Sequence, residues 1–142
     1  MDRKSDATWT GDLKSGSGSL KLGSGAFQGP YSFLSRFESG AGTNPEELLA
    51  AAHAGCFSMA LAAGLSRAGH APKSIATTAT VHLNKAESGF AITGIDLVTR
   101  GVVPGLSAEE FRKAAEDTKA NCIVSKALAA VPMTVDATLT GG

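Results

Sequence analysis

The chain contains few aromatic residues, few cysteines and no excess of either charge. Aromatic residues make up 6% of the 142 residues, with one tryptophan and one tyrosine, and only two residues are cysteine. Lysine and arginine number 13 together, as do aspartate and glutamate, so the formal net charge is zero. Because basic residues do not outnumber acidic ones, the composition argues against nucleic-acid binding, which usually requires a basic patch on the protein. Proteins near zero net charge often self-associate, so the protein could form a homo-oligomer.

The amino-terminal residues do not resemble a secretory signal, so we expect none. Residues 1–6 are polar and are not followed by an apolar segment of the secretory type. We therefore expect a cytoplasmic protein. In that reducing compartment, two cysteines indicate catalytic, redox-active or buried thiols rather than a static disulfide.

One uncharged stretch, residues 48–66, is long enough to cross a bilayer. It is rich in alanine and glycine, carries His53 and Ser58, and has few of the large apolar residues that drive membrane insertion. The composition favours a core helix of a soluble domain, with no membrane partner.

This helix has clear start and stop signals. Thr43 or Asn44 can cap it, Pro45 suits its first position, and Gly69 follows its expected end at residues 67–68. Because the helix is apolar on nearly all sides, we expect it to be buried on most faces.

The other elements predict a single α+β domain with largely antiparallel sheet, covering residues 1–142. Residues 31–37 are interpreted as a strand or an ordered loop. Ser107 and Glu110 match a capping box, and Asn121 is interpreted as the cap of a short second helix. In chain order, the remaining predicted elements are strands at 7–10, 19–22, 74–85 and 90–103, helices at 107–119 and 122–129, and a strand at 131–139.

Cys56 lies in the middle of the long helix, where burial alone would raise its pKa and leave it inert. To act as a nucleophile it needs a nearby cation. Arg36, flanked by apolar residues, is either a surface arginine with a buried stem or a fixed guanidinium that stabilises the thiolate.

A guanidinium in an apolar site needs a carboxylate partner. On an ideal helix, Glu46 lies about 80° from Cys56 around the axis and Glu47 about 180°, which favours Glu46. The same geometry separates Glu46 from Cys56 by about 15 Å along the axis, so Arg36 must bridge that distance or the first turn must be irregular.

Two further side chains have open interpretations. His53 precedes Cys56 by one helical turn, so it is either a hydrogen-bonded core histidine or part of a Cys–His pair. Cys122 follows Asn121 at an expected helix start, where the helix dipole and free amides favour a thiolate. Neither cysteine belongs to a short Cys-x-x-Cys spacing, so we expect no metal site.

The residues around both cysteines are similar to those of a known family. Residues 43–61, which end just beyond Cys56, closely resemble the OsmC branch of the OsmC/Ohr family, and His53-Ala54-Gly55 favours that branch over Ohr. The likeness spans about residues 9–139. Further matching segments are residues 30–33, 36–38 and 121–125.

The resemblance implies roles for four residues. Cys56 matches the peroxidatic cysteine, Cys122 the resolving cysteine, Arg36 the activating arginine and Glu46 the glutamate that holds it. It also implies an intertwined α+β homodimer, with mainly antiparallel sheets around two long central helices and sites at the subunit interface. No cofactor is implied.

The implied activity is reduction of organic hydroperoxides to alcohols, in defence against oxidative or osmotic stress. Cys56 would become a sulfenic acid and then a Cys56–Cys122 disulfide, which an external dithiol, such as a lipoylated protein, would reduce. Nearby Phe33, Phe37 and Phe57 would favour organic peroxides over hydrogen peroxide. Three alternatives remain: a non-enzymatic redox or ligand-binding protein, a Cys56–His53 acyl-transfer enzyme, and a structural protein with inert cysteines.

Overall fold

The fold is mixed α+β, and a computed structural model describes residues 1–141. The chain divides into two compact units, Met1–Leu48 and Leu49–Gly142. The single domain expected from the sequence stays a prediction.

The first unit contains an antiparallel sheet of three short strands in the order β1-β2-β3. The strands are β1 (Ser5–Thr10), β2 (Ser17–Leu22) and β3 (Gln28–Tyr31). Gly11 and Gly25 adopt φ values of 91° and 79° in the two connections, a conformation open to glycine but unfavourable for other residues.

A short helix, α1 (Phe33–Phe37), follows the sheet and carries Arg36. The strand or loop expected at residues 31–37 is therefore wrong for most of that segment. The physical reason is a local cap: the Ser32 side chain accepts from the Ser35 amide, and the Ser35 hydroxyl accepts from the Ser32 amide.

The long helix α2 spans Pro45–Arg67, as its start and stop signals predict. The Asn44 side chain accepts a hydrogen bond of 2.8 Å from the Glu47 amide, and Gly69 has a φ of 89° just beyond the helix. By length and composition α2 could cross a membrane, a test that core helices of soluble proteins also pass.

The burial of α2 differs from the expectation. Among the α2 residues from Leu49 onward, the buried side chains are those of His53, Phe57, Leu61 and Leu65. Met59 is 77% exposed. The expectation of burial on most faces is therefore wrong for the single chain, because a helix that packs against its own sheet on one side leaves the opposite face uncovered.

The second unit contains the sheet β4-β5-β6, made of β4 (Ser74–Ala86), β5 (Gly89–Val102) and β6 (Met133–Gly141). β4 and β5 form the hairpin expected around residues 88–89, whereas β6 lies parallel to β5. The helices between β5 and β6 make this crossover possible. The unit's core lies between helices and sheet and comprises Phe57, Leu61, Leu65, Ile95, Leu97, Val103, Phe111, Ala115 and Cys122.

Those connecting helices are α3 (Ala108–Asn121) and α4 (Ile123–Ala127). The predicted capping box of Ser107 and Glu110 is present. Asn121 does not cap α4: it is the last residue of α3, and its side chain donates to the Asp117 carbonyl. Cys122 itself is the junction, because its extended ψ of 139° ends one helix and begins the next.

Candidate functional site

The second unit brings the two cysteines together. Cys56 lies in the middle of α2 and Cys122 at the α3–α4 junction, and their sulfurs are 3.1 Å apart although 66 positions separate them in the chain. Both are free thiols, with Cys122 buried and Cys56 partly exposed. Disulfide sulfurs lie about 2.05 Å apart, so a shift of about 1 Å would join them.

The two thiols differ in their ionisation. Burial raises the pKa of Cys122, but hydrogen bonds from the Ser125 amide, Cys56, the Ser125 hydroxyl and the Val124 amide outweigh it, so the net pKa falls below its ordinary value. Burial raises the pKa of Cys56, and the neighbouring Cys122 raises it further. Cys122 is therefore the more readily ionised of the two thiols, and Cys56 needs a nearby cation to ionise.

His53 is completely buried, and its Nε2 lies 2.7 Å from the Ser125 hydroxyl oxygen. Burial lowers the pKa of His53, so the ring is neutral at pH 7. Among residues 1–141, its Nδ1 has no hydrogen-bond partner. The sequence analysis assigned no role to Ser125, the partner of His53 in this hydrogen bond. The sequence feature that could have indicated it is the position of this serine three residues after Cys122.

The first unit contains the ion pair between Arg36 and Glu46. Arg36 Nη2 donates to Glu46 Oε1 at 2.8 Å, and Nε approaches both carboxylate oxygens at 3.2 and 3.3 Å. The side chains are 38% and 9% exposed, respectively. Glu47 instead accepts from the Thr43 hydroxyl at 2.6 Å, so the carboxylate favoured by the helical angle is the one that pairs.

Arg36 borders a cavity of about 420 Å³ in the first unit. Its guanidinium carbon lies 5.3 Å from the centre of the Phe37 ring, within the range of a cation–π contact. The lining is mainly apolar and comprises Trp9, Gly11, Leu13, Tyr31, Ser32, Phe33, Arg36 and Phe37.

Cys122 also borders a cavity. This one has a volume of about 700 Å³ and lies in the second unit along α2 and α3. Residues 1–141 contain no cluster of three or more histidine, cysteine, aspartate or glutamate side chains placed to hold a metal ion.

Comparison with known proteins gives a consistent result. The family model for OsmC-like protein matches residues 38–136. The chain is 50% identical over 131 residues to peroxiredoxin OsmC of Escherichia coli K12, covering 92% of each protein.

Among solved structures, the organic hydroperoxide resistance protein OhrB of Bacillus subtilis matches with a TM-score of 0.73 and 25% identity, covering 96% of this chain and 98% of that one. An organic hydroperoxide resistance protein OsmC from Legionella pneumophila has the same fold, with a TM-score of 0.73 at 23% identity, covering 95% and 96% of the two chains. The chain belongs to the OsmC-like protein family and is a thiol-dependent peroxidase.

Proposed function

We propose that this protein reduces organic hydroperoxides to alcohols, with Cys56 as the peroxidatic and Cys122 as the resolving cysteine. The observation that carries the proposal is the 3.1 Å separation of two free sulfurs that are distant in the sequence. The similarity to a relative named peroxiredoxin OsmC supports the same chemistry.

The reaction balances in three steps. The Cys56 thiolate attacks the distal peroxide oxygen, the O–O bond breaks, and the alkoxide takes a proton to leave as an alcohol while Cys56 becomes a sulfenic acid. Cys122 then attacks the Cys56 sulfur, forming the disulfide and releasing water. An external dithiol, such as a lipoyl group, reduces the disulfide by exchange and is itself oxidised.

Arg36 is proposed, from the family resemblance, as the cation that the first step needs. Cys56 ionises poorly in its own unit, since burial and Cys122 both raise its pKa. A guanidinium held by two nitrogens on the Glu46 carboxylate keeps a fixed direction, which a lone flexible side chain would not. Glu46 is therefore proposed as the residue that positions Arg36.

The proposed preference for organic peroxides over hydrogen peroxide draws on the apolar residues around Arg36, together with the family resemblance. Its cavity is lined by Trp9, Tyr31, Phe33 and Phe37, which offer apolar contact to an alkyl or aryl group. Hydrogen peroxide has no such group and gains nothing from these contacts. Cumene hydroperoxide should therefore have the higher kcat/KM.

The active form is proposed to be a homodimer in the cytoplasm. The uncovered face of α2 consists of small or apolar residues, namely Ala51, Ala52, Gly55, Met59 and Ala63. A second copy of this face is a suitable cover, because small residues allow helices to approach closely and the exposed Met59 gains burial. Sedimentation as a monomer at micromolar concentration would contradict this assembly.

The deciding experiment is turnover of cumene hydroperoxide by the reduced protein with dihydrolipoamide as donor. We expect Cys56→Ser to abolish turnover, and Cys122→Ser to allow sulfenic acid formation but no disulfide. Arg36→Met should slow the first step, with Arg100→Met on the exposed part of β5 as the matched control. Undiminished turnover in Cys56→Ser would refute the assignment, and equal rates with hydrogen peroxide would refute the apolar preference.

A further inference from the structure

Two hydrogen bonds join helix α1 to the residues that begin α2, and the steps above do not use them. The Ser35 hydroxyl donates to the Thr43 carbonyl at 2.7 Å, and Asn44 Nδ2 donates to the Ser35 carbonyl at 3.0 Å. Ser35 directly precedes Arg36, and Asn44 lies two positions before Glu46. These two bonds, which we call the α1 clamp, therefore flank the ion pair within the first unit.

We propose that Asn44 and Ser35 are positioning residues for Arg36: their hydrogen bonds hold α1 against the start of α2 and thereby fix the backbone that carries the guanidinium. The proposal rests on the proposed function, in which Arg36 favours the Cys56 thiolate. It adds two uncharged side chains to the residues on which the first step depends.

The ion pair and the α1 clamp act on opposite ends of Arg36. Glu46 holds the guanidinium, at the far end of a long side chain with many rotamers. Such a side chain can reach the same carboxylate from several backbone positions, so the ion pair alone leaves the position of α1 open. The hydrogen bonds of Ser35 and Asn44 act on the backbone at the near end, and with both ends held the guanidinium keeps one place.

Helix α1 has little stability of its own. It spans five residues, Phe33–Phe37, whereas isolated helices shorter than about 12–15 residues are marginal in water. Its local cap, formed by Ser32 and Ser35, orders the first turn but makes no bond to α2. Bonds to neighbouring segments must therefore hold this helix in place.

The segment that accepts from the Ser35 hydroxyl is itself fixed. Thr43 is 7% exposed, and its amide donates to the carbonyl of Pro30, in β3, at 2.9 Å. Gly42 makes this approach possible, because its φ is 114° and a Cβ atom there would lie 2.8 Å from the Pro30 oxygen. The Ser35–Thr43 bond thus ties α1 to a point that the sheet already holds.

Asn44 has a donor and an acceptor with different roles. Its Oδ1 accepts from the Glu47 amide at 2.8 Å and caps α2, while its Nδ2 donates to the Ser35 carbonyl. The reversed amide would place N–H against N–H and oxygen against oxygen, so the two partners fix this orientation. An aspartate keeps the cap but has no hydrogen for the Ser35 carbonyl. Asn44→Asp therefore removes a clamp bond and leaves the start of α2 intact.

The test separates the two half-reactions of the peroxidase cycle, with cumene hydroperoxide and dihydrolipoamide as the varied substrates. Asn44→Asp should lower kcat/KM for the peroxide roughly tenfold, because the Ser35 carbonyl loses its donor and faces a carboxylate, which weakens docking of α1 by about that factor. The kcat/KM for the dithiol should change by less than about twofold, since disulfide exchange does not use Arg36.

The matched control is Asn84→Asp. It makes the same substitution in the second unit, where the Asn84 amide donates to the Thr93 hydroxyl at 2.7 Å. Both values of kcat/KM should stay at the wild-type level in this variant.

A double variant distinguishes positioning from general damage. In an Arg36→Met background, Asn44→Asp should cause no further loss of peroxide reactivity, because no guanidinium remains to be positioned. Ser35→Ala deletes the other clamp bond without adding a charge and should give the same pattern. A further roughly tenfold loss in the double variant, or an equal loss of both kcat/KM values in Asn44→Asp, would overturn the proposal.

A second readout does not require peroxidase activity. The amides of Arg36 and Glu38 make the backbone hydrogen bonds of α1, so their hydrogen exchange reports whether α1 is docked. Asn44→Asp should speed this exchange roughly tenfold and leave that of the Phe111 amide, in α3, unchanged. Unchanged exchange at Arg36 and Glu38 would also overturn the proposal. If Arg36→Met leaves peroxide reactivity unchanged, the role of Arg36 in the proposed function fails, and exchange alone decides whether Asn44 holds α1.

Discussion

Removing Arg36 should destabilise the protein more than neutralising its partner Glu46. The guanidinium makes three N–H···O contacts to the carboxylate, at 2.8, 3.2 and 3.3 Å. The two ends differ in exposure: 38% for the Arg36 side chain and 9% for that of Glu46. Water can thus solvate the Arg36 guanidinium once its partner is removed, whereas the Glu46 carboxylate would remain largely buried without a partner.

The expected magnitudes lie between two limits. Breaking a fully buried ion pair costs about 3–5 kcal/mol and an exposed pair contributes below about 1 kcal/mol. For this half-buried pair we expect Arg36→Met to lower the free energy of unfolding by about 2–3 kcal/mol and Glu46→Gln by about 1 kcal/mol. The double variant should resemble Glu46→Gln, because no uncompensated carboxylate remains.

Urea unfolding of the reduced variants measures these changes in the free energy of unfolding. All variants are compared at the same protomer concentration, because self-association would otherwise shift the unfolding midpoint. The Lys119–Glu116 pair provides the control, because the Glu116 carboxylate is 55% exposed and water can solvate it once Lys119 is removed; Lys119→Met should change stability by less than about 1 kcal/mol. Additive effects in the double variant, or a greater loss in Glu46→Gln than in Arg36→Met, would refute the reasoning.

Two other predictions concern pH and assembly. Burial lowers the pKa of His53 from its ordinary value of 6.5, so below about pH 6.5 the unfolded chain takes up a proton that the folded chain does not. As the pH decreases below about 6.5, the free energy of unfolding should therefore decrease by up to about 1.4 kcal/mol per pH unit. Chemical denaturation at several pH values measures this slope, and His53→Gln should flatten it. In sedimentation, Met59→Glu on the open face of α2 should weaken dimerisation strongly, whereas Val98→Glu on an exposed strand position should not. A dimer unaffected by Met59→Glu would place the interface elsewhere.

Local signals in the sequence were sufficient for most of the secondary structure. Pro45 and Gly69 bracket α2, and Ser107 with Glu110 begins α3, because caps and turn glycines act through the nearest few residues. The segment after Tyr31 was predicted wrongly because the Ser32–Ser35 cap overrides its alternating pattern. Asn121 was misassigned because Cys122, not its neighbour, has the extended backbone at the junction.

The sequence by itself determined the fold class, the family resemblance and the choice of Glu46 over Glu47 as partner of Arg36, since an angle around one helix depends only on spacing. Only the tertiary structure decided that β6 runs parallel to β5, that Cys56 and Cys122 meet at 3.1 Å, and that His53 contacts Ser125. Such contacts join residues distant along the chain, and their geometry depends on how helix and sheet pack, which no local pattern encodes.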